Sequence, residues 1–435
     1  MINRPRVWST IFIGQKDRRS FVEVCLERSH PVMLDVTVDA SKMGSIRLDC
    51  TCEIGRRGRL LPNESNPCEW HFKFESLAEI KHSNRIRTLD VDFDGAWIPR
   101  AERTNKARLA LGSCRFFTSS FPQLTTLVWK NELVKYANHL FSTSPFAPTL
   151  RSLTYVGPWS NLTTPINNLT SFAYEGDPGS DTPNLEVVRL FLLNNLSLES
   201  LDLKYIDFEG NSIGPPVRLS NLRSLSVGLA DNKLSTIIYV PAFRHISSLR
   251  IGSDEADCYT LYATGDGITF SARCFPHNLI TTWEDFTGYA RPTVRHIHLD
   301  GSGPWVELYG EYGDITFVSV LLDAHTLEIG EGYFPFWYDG FFDDLKQLGP
   351  QLKTIRFAIS EELEPFPEDD DDPGLWDGES LDSIEDLVRY RFFQGRPLSA
   401  VERMVTSESE RTNREQDFIW RCFYNGRELS RYVQP

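Results

Sequence analysis

Residues 198–227, LESLDLKYIDFEGNSIGPPVRLSNLRSLSV, contain the same short pattern twice, and this repetition decides the predicted fold. In each copy apolar residues occupy the first, fourth and sixth positions. The two sets are Leu198/Leu201/Leu203 and, 24 residues later, Leu222/Leu225/Val227. Successive side chains of a strand point to opposite faces, so the fourth and sixth positions face the same way. The pattern predicts a β-strand at each copy, with that pair of side chains directed to the interior.

The same pattern recurs on both sides of this segment. Further copies are Ile86/Leu89/Val91, Leu124/Leu127/Trp129, Leu150/Leu153/Tyr155, Leu169/Phe172/Tyr174, Ile246/Leu249/Ile251, Val294/Ile297/Leu299 and Leu352/Ile355/Phe357, with a weaker one at Leu327/Ile329. Most steps between copies are 19 to 29 residues, and the longer steps leave room for weaker copies. This period is typical of leucine-rich repeats. It predicts an α/β solenoid in which a curved parallel sheet carries helices or irregular segments on its convex side.

The connections and ends of the array are also predicted from the sequence. Leu185, Val188 and Leu190 fit the pattern but lie only 13 residues before the next copy, so we assign them to a helix with Thr182 as its N-cap. Alternating residues predict a first strand at 33–38, and helical spacing from Leu381 predicts a helix that precedes a last strand. The predicted organisation is an N-terminal cap, a repeat array, an acidic disordered loop and a C-terminal region of helix, strand and cap. Their boundaries are 1–30, 31–360, 361–380 and 381–435.

Charge is distributed unevenly along the 435 residues. The net charge is −15, but residues 361–386 contain 13 acidic residues and no Lys or Arg, which leaves 47 acidic against 45 basic residues elsewhere. No dense basic run is available to neutralise phosphates, so nucleic acid is not an expected partner. No stretch is long and apolar enough for a membrane span, and the eight cysteines are sparse and irregular. These features predict a reduced, intracellular protein of the cytoplasm or nucleus that does not bind membranes.

Three segments resemble the F-box-like leucine-rich proteins of mushroom-forming fungi. Residues 4–13, RPRVWSTIFI, resemble the end of an F-box, and residues 21–39, FVEVCLERSHPVMLDVTVD, resemble the helix and first strand that follow it in that family. Residues 386–393, DLVRYRFF, resemble a helix near the family's C-terminus. The resemblance implies a substrate-binding part of a receptor in a cullin ubiquitin ligase, where the F-box itself binds a Skp-type adaptor. Only three residues precede Arg4, so we expect most of the F-box to be missing and adaptor binding to be lost.

The expected function is recognition of a protein on the concave sheet, without catalysis and without a cofactor. The candidate contact residues are the outward neighbours of the buried pairs. They are Asp90, Asp92, Lys130, Glu175, Asp202, Lys204, Arg250, His298, Asp300 and Arg356. Charges of both signs occur among them, which is more typical of a surface that binds protein than of one that binds phosphate. A scaffold that works without the ligase adaptor is an alternative.

A metal-dependent hydrolase is the alternative from a different class. His296 and His298 alternate on a predicted strand and so face the same way, as two metal ligands do, but no third ligand other than Asp300 is evident nearby. Cys50, Cys52, Cys68 and His71 have soft ligand types, yet their spacing is tighter than that of zinc sites. We therefore predict no metal at either place.

Two other segments have ordinary explanations. The acidic run at 368–380 lacks the ligand spacing and the glycine of a calcium loop, which favours a solvated loop. The aromatic segment at 332–342 could form a binding surface, but it fits better as the apolar side of a helix before the Leu352 strand. Neither the nucleophile elbow of hydrolases, the zinc-protease motif nor a phosphate-binding loop is present.

Overall fold

A computed structural model of the chain describes the secondary-structure elements and the segments that adjoin them. These residues are 5–14, 19–39, 53–54, 60–61, 76–92, 119–130, 147–157, 159–162, 166–176, 182–204, 208–211, 214–228, 236–239, 245–253, 259–274, 293–300, 324–329, 346, 351–359, 378–405, 423–424 and 427–428. The chain divides into two compact units. The first comprises Met1–Leu222 with Thr236–Tyr239, and the second comprises Arg223–Ser235 with Val240–Pro435.

Seven strands of the first unit lie side by side, and each is parallel to its neighbours. In the order of the sheet they are β1 (Thr10–Ile13), β2 (Leu34–Asp39), β5 (Ile86–Asp92), β6 (Thr126–Lys130), β7 (Ser152–Val156), β8 (Ser171–Glu175) and β9 (Ser200–Lys204). Two short pairs complete the described strands of this unit. They are β3 (Glu53–Ile54) with β4 (Leu60–Leu61), antiparallel, and β10 (Val217–Arg218) with β12 (Ile238–Tyr239), parallel.

The fourth and sixth positions of the sequence pattern form the buried side of these strands, as predicted. In β6, for example, Leu127 and Trp129 are buried, and the side chains between them are partly exposed. The registers place equivalent residues beside each other, so that Leu127 lies between Leu89 and Leu153. Each strand therefore continues the apolar surface of the one before it, and burial of this surface is the main stabilising contribution.

A helix of nine residues, α3 (Leu185–Leu193), follows β8 as predicted. Its N-cap is Asn184 rather than the predicted Thr182, because the Asn184 side chain accepts a hydrogen bond from the Glu186 backbone N–H. Phe191 of this helix packs against Phe172 of β8, with ring centroids 4.6 Å apart. The contact joins the helix to the buried side of the sheet.

The N-terminal segment contains a strand that the sequence pattern did not predict. The first predicted strand is β2, but β1 precedes it and pairs with it in parallel, burying Ile11 and Ile13. The helix α1 (Arg19–Arg28) lies between these two strands in the chain. Its Arg28 guanidinium lies over the Trp8 ring, 5.2 Å from the ring centre. The predicted cap region thus contributes to the sheet itself.

A buried arginine follows the short helix α2 (Ile80–Ser83) and connects it to the end of α1. The Arg85 guanidinium donates to the carbonyls of Leu26 and Val32, at 2.8 and 2.9 Å. Its Nη2 also lies 3.3 Å from His82 Nδ1. The bond to Leu26 satisfies a carbonyl in the last turn of α1, where the helix offers no backbone N–H partner, and the bond to Val32 holds the segment that follows the helix.

The second unit has eight strands side by side, most of them parallel to their neighbours. In the order of the sheet they are β11 (Ser224–Gly228), β15 (Ile268–Cys274), β14 (Tyr259–Gly265), β13 (His245–Ser253), β16 (Thr293–Asp300), β17 (Thr326–Ile329), β18 (Thr354–Ile359) and β19 (Ala400–Val405). The fold of the described residues is thus α/β, with mostly parallel strands and few helices. The weak copy of the pattern at Leu327 is a genuine strand, and so is the predicted last strand at β19.

The prediction of parallel pairing throughout is wrong at one place. The strand β14 is antiparallel to both of its neighbours, β13 and β15, so that β15, rather than the predicted repeat β13, lies next to β11. Asp266 and Gly267 form the turn between β14 and β15 with φ values of 49° and 78°. An Asp-Gly pair with both φ angles positive suits a two-residue hairpin turn. The sequence GDGITF was the available signal for this hairpin.

The C-terminal part of the second unit contains the predicted helix. This helix, α4 (Gly378–Phe393), begins three residues before the predicted boundary at Leu381. Its Arg391 is buried and donates to the Leu352 carbonyl at 2.7 Å. A short antiparallel pair, β20 (Phe423–Tyr424) and β21 (Arg427–Glu428), lies near the end of the chain. None of the helices in the described ranges is both long and apolar enough to cross a membrane.

Candidate protein-binding surface

The side chains that point away from the buried side of the strands form what we call the outward face of each unit. Nine of the ten candidate contact residues lie next to at least one buried pattern position and are themselves partly exposed or exposed. The tenth is Asp300, of which only the backbone is described, in register with Gly252. Their role in binding a partner stays a prediction.

In the first unit, the candidate residues form two groups at the C-terminal ends of the strands. Asp92 and Lys130 are neighbours in register, with Oδ2 and Nζ 3.7 Å apart. Glu175 and Lys204 are also neighbours in register, and Lys204 Nζ lies 3.5 Å from Asp202 Oδ2. The six candidates of this unit are four acids and two lysines, so their formal charge is −2.

Between these two groups the side chains of the outward face are small and weakly polar. Val128, Thr154 and Ala173 lie in one register row, and Val156 lies at the end of β7. All four are partly exposed. An apolar centre with a charged rim is the usual composition of a surface that binds protein.

Asp90 has an environment that disfavours its charged form. Burial raises the pKa of the Asp90 carboxyl; nearby Lys130 lowers it, while Asp92 raises it, and the outcome is a pKa above the ordinary value. Lys130 is therefore the group that limits this upward shift. Its ammonium offsets the charge of two carboxylates on one strand.

In the second unit, one register row crosses four strands and carries charged or titratable side chains throughout. The residues are Arg250 of β13, His298 of β16, Glu328 of β17 and Arg356 of β18. Three of them are sequence candidates, and Glu328 is the residue that sequence reasoning missed. The available signal was its place between Leu327 and Ile329, which is equivalent to that of His298 in β16.

Glu328 is the centre of this row. Its Oε1 is hydrogen-bonded to His298 Nδ1 at 2.6 Å, and its Oε2 lies 3.3 Å from His296 Nε2 and 3.9 Å from Arg356 Nη1. Burial by itself would raise the pKa of the Glu328 carboxyl. The hydrogen bonds from His296 and His298 outweigh burial and hold that pKa far below its ordinary value. Glu328 is thus a fixed negative charge that orients two imidazoles.

His296 and His298, the two histidines of the hydrolase alternative, therefore lie close together. They surround the carboxylate of Glu328 rather than an evident metal site. Among the residues that the structure describes, no group of three or more His, Cys, Asp or Glu side chains is arranged to hold a metal ion. The side chain of Asp300, the Cys50/Cys52/Cys68/His71 set and the segments at 332–342 and 361–377 lie outside the described side chains. For the described part, the arrangement is one of ion pairs and hydrogen bonds around Glu328.

The second position of the sequence pattern adds further positive charge on three strands. The residues are Arg295, within β16, and His325 and Lys353, directly before β17 and β18, and all three are exposed. They are equivalent in position, because the Arg295 carbonyl accepts from the His325 N–H and the His325 carbonyl accepts from the Lys353 N–H, both at 2.9 Å. Sequence reasoning did not select them, although each occupies the same position of the pattern.

A row of hydroxyl side chains at the third position of the pattern was also missed. In the first unit it comprises Thr88, Thr126, Ser152, Ser171 and Ser200, which occupy one register row. All are partly exposed. The signal was the recurrence of Ser or Thr directly before the second apolar residue. The row is a further feature shared by successive strands.

Comparison with known proteins gives no relative for this chain. No protein-family model, no curated protein and no solved structure matches it. The function must therefore be argued from the residues and their geometry.

Proposed function

We propose that the chain is a non-catalytic protein-recognition module whose partner binds the outward face of its parallel strands. We further propose that the strands belong to a leucine-rich-repeat solenoid. The observation that carries the proposal is the outward face of the second unit, where Arg250, His298, Glu328 and Arg356 form one register row. A row of charges across adjacent strands offers a partner several fixed contacts at once.

Repeated backbone geometry supports the solenoid. The Thr125 carbonyl accepts from the N–H groups of Arg151 and Ser152, and the Arg151 carbonyl accepts from Thr170 and Ser171 in the same way. In the second unit, the His325 carbonyl accepts from Lys353 and Thr354. The same two bonds at the start of successive strands are expected where one structural unit is repeated along the chain.

The composition of the outward faces supports a protein partner. Acidic, basic, hydroxyl and small apolar side chains are mixed on the first unit, and no single charge dominates it. Protein surfaces are themselves mixed, so such a face can complement one, whereas a phosphate backbone requires consistently positive charge. The resemblance to F-box-like leucine-rich proteins suggests the more specific role of binding the substrates of a cullin ubiquitin ligase.

Site-specific photo-cross-linking tests the proposal. A benzophenone amino acid at Thr154, on the outward face, should capture a discrete protein in an extract of the native host. The matched control is the same group at Val187, which is 47% exposed on α3 and lies off the sheet. Capture from the outward position that is lost after Asp202→Lys supports the proposal. Capture from Val187 alone, or from neither Thr154 nor an equivalent position at Ser226, contradicts it.

A further inference from the structure

We propose that one surface of the second unit binds a short acidic segment of the partner protein. This inference rests on the proposed function and specifies the chemistry of the partner at one place. The surface, called the basic patch, comprises outward side chains of four adjacent strands and the exposed residue at the second pattern position of three of them. Its members are Arg250, Arg295, His296, His298, His325, Glu328, Lys353 and Arg356.

The basic patch has an excess of positive charge. It contains four permanent cations and one carboxylate, so its formal charge is four minus one, or +3, with its three histidines counted as neutral. Two further acidic residues adjoin it, Asp300 at the end of β16 and Glu402, in register with Arg356 on β19, and counting both leaves +1. The whole chain has a net charge of −15, so this concentration of cations is opposite in sign to the protein that carries it. Such a local potential attracts a ligand of negative charge.

The cations that would meet a ligand are exposed. Arg250, Arg295, His325 and Lys353 are exposed, and the Arg356 side chain is 39% exposed. The Glu328 side chain is only 14% exposed, and both of its oxygens lie within 4 Å of histidine or arginine nitrogens. The single carboxylate is therefore covered by basic groups. A ligand approaching the patch meets the cations first.

The geometry suits an extended peptide. Neighbouring strands are about 4.8 Å apart, so the four strands β13, β16, β17 and β18 place their side chains along roughly 14 Å. About five residues of an extended chain cover that length. Several acidic side chains within one short segment can then reach different cations of the patch. The attraction is a sum of contacts that are individually weak at an exposed surface.

A short acidic segment fits better than a nucleic acid. A long polyanion extends beyond the patch and is repelled by a chain whose net charge is −15. Tyr262, in register with Arg250, is the only aromatic side chain on the described outward face of β13 to β18, so a platform for stacking successive bases is not seen there. The binding of an oligonucleotide is nevertheless an outcome that the test below can reveal.

Fluorescence anisotropy with a defined probe tests the inference. The probe is a fluorescein-labelled peptide, Gly-Ser-Glu-Gly-Glu-Gly-Glu-Ser-Gly, and the matched peptide has Gln at each Glu. With the full chain at low salt, we expect the Glu peptide to bind at least about 10-fold more tightly than the Gln peptide. The double variant Arg295→Glu, Lys353→Glu should lose at least about 10-fold, because both side chains are exposed and oppositely charged after the change.

The control variant is Lys81→Glu, which changes a lysine of α2 in the first unit that is 56% exposed and lies outside the proposed binding surfaces, and it should leave peptide binding unchanged. Thermal unfolding of each variant shows whether it is folded. Equal binding of the two peptides, or an unchanged affinity in a folded double variant, overturns the inference. Tighter binding of a labelled 12-nucleotide oligothymidine, lost in the same double variant, also overturns it in favour of a nucleic acid. Cross-linking from Thr154 tests the first unit, whereas the peptide tests the second. Cross-linking can therefore succeed when the peptide does not bind, so failure of the proposed function and failure of this inference are distinguishable.

Discussion

The outward faces of the two units share one backbone pattern and differ in charge. In the first unit the six candidate residues are four acids and two lysines, whereas the basic patch of the second unit has four cations and one carboxylate. The pattern places leucine or another apolar residue at the same two positions in both units, and Leu201 of β9 and Leu225 of β11 are both buried there. Burial constrains one face of a strand and leaves the other free to vary. The outward positions are therefore where the two units can differ in what they bind.

The largest expected effect concerns the buried side that both units share. Replacement of Leu201 in β9 or Leu225 in β11 by Ala should each lower the free energy of unfolding by about 2 to 5 kcal/mol, because both side chains are buried and leave a cavity. Denaturation monitored by circular dichroism measures this change. Ser226→Ala, on the outward side of β11, is the control and should change stability by less than about 0.5 kcal/mol. A small effect of either leucine would contradict the equivalence of the buried sides.

A smaller effect is expected from Glu328, the residue that most distinguishes the second unit. Glu328→Gln should lower the free energy of unfolding by about 1 to 3 kcal/mol at pH 6, since it weakens the pairing with His296 and His298. The folded-state pKa of Glu328 is depressed, so its stabilisation is present above its ordinary pKa of 4.5 and is lost as the pH falls below that value.

Urea denaturation of the wild type and of Glu328→Gln at several pH values checks this prediction. The difference between the two proteins should decrease from pH 6 to pH 3.5. Glu175→Gln, which changes a partly exposed outward carboxylate of the first unit, is the matched control and should show little difference throughout. A constant difference for Glu328→Gln across this range would contradict the proposed pairing.

In the first unit, by contrast, the surroundings of one histidine, His82, disfavour its charged form. Burial, with Lys81 and Arg85 nearby, lowers the pKa of His82 to about 4. The unfolded chain takes up a proton near pH 6.5 and the folded one does not, so stability falls as the pH decreases from 6.5 to 4 and is unaffected above that range. The loss between pH 6.5 and 5 should be on the order of 1 kcal/mol. His82→Asn keeps an acceptor for Arg85 and should remove this dependence, which denaturation at pH 5 and pH 6.5 measures.

The smallest expected effect belongs to an exposed ion pair of the first unit. Lys130→Met removes the contact between Lys130 and Asp92, whose side chains are 44% and 30% exposed. Stability should change by at most about 1 kcal/mol, because exposed ion pairs contribute little. The pKa of Asp90, already raised, should rise further without the nearby ammonium, and NMR titration of its carboxyl carbon measures that shift. An unchanged Asp90 titration would contradict the coupling between the two residues.

The sequence alone determined which side chains of each strand are buried. Alternation forces the fourth and sixth positions of the pattern to one face, and this holds both at β6 in the first unit and at β11 in the second. It also determined that the segment after β8 is a helix, because the 13 positions between Leu185 and Leu198 are too few for two successive repeat strands. Its N-cap was misplaced by two residues, because Thr182 and Asn184 are both suitable types and only the backbone geometry distinguishes them.

Tertiary structure decided which strands are neighbours and which outward residues meet. The hairpin of β14 and β15 places β15 beside β11, and this order follows from pairing between distant segments rather than from any local pattern. Glu328 meets His298 across 30 positions of sequence because the parallel register of β16 and β17 brings them side by side. Local periodicity specifies the face on which a side chain lies. The register of the sheet specifies its partners, and the register depends on contacts that no single strand contains.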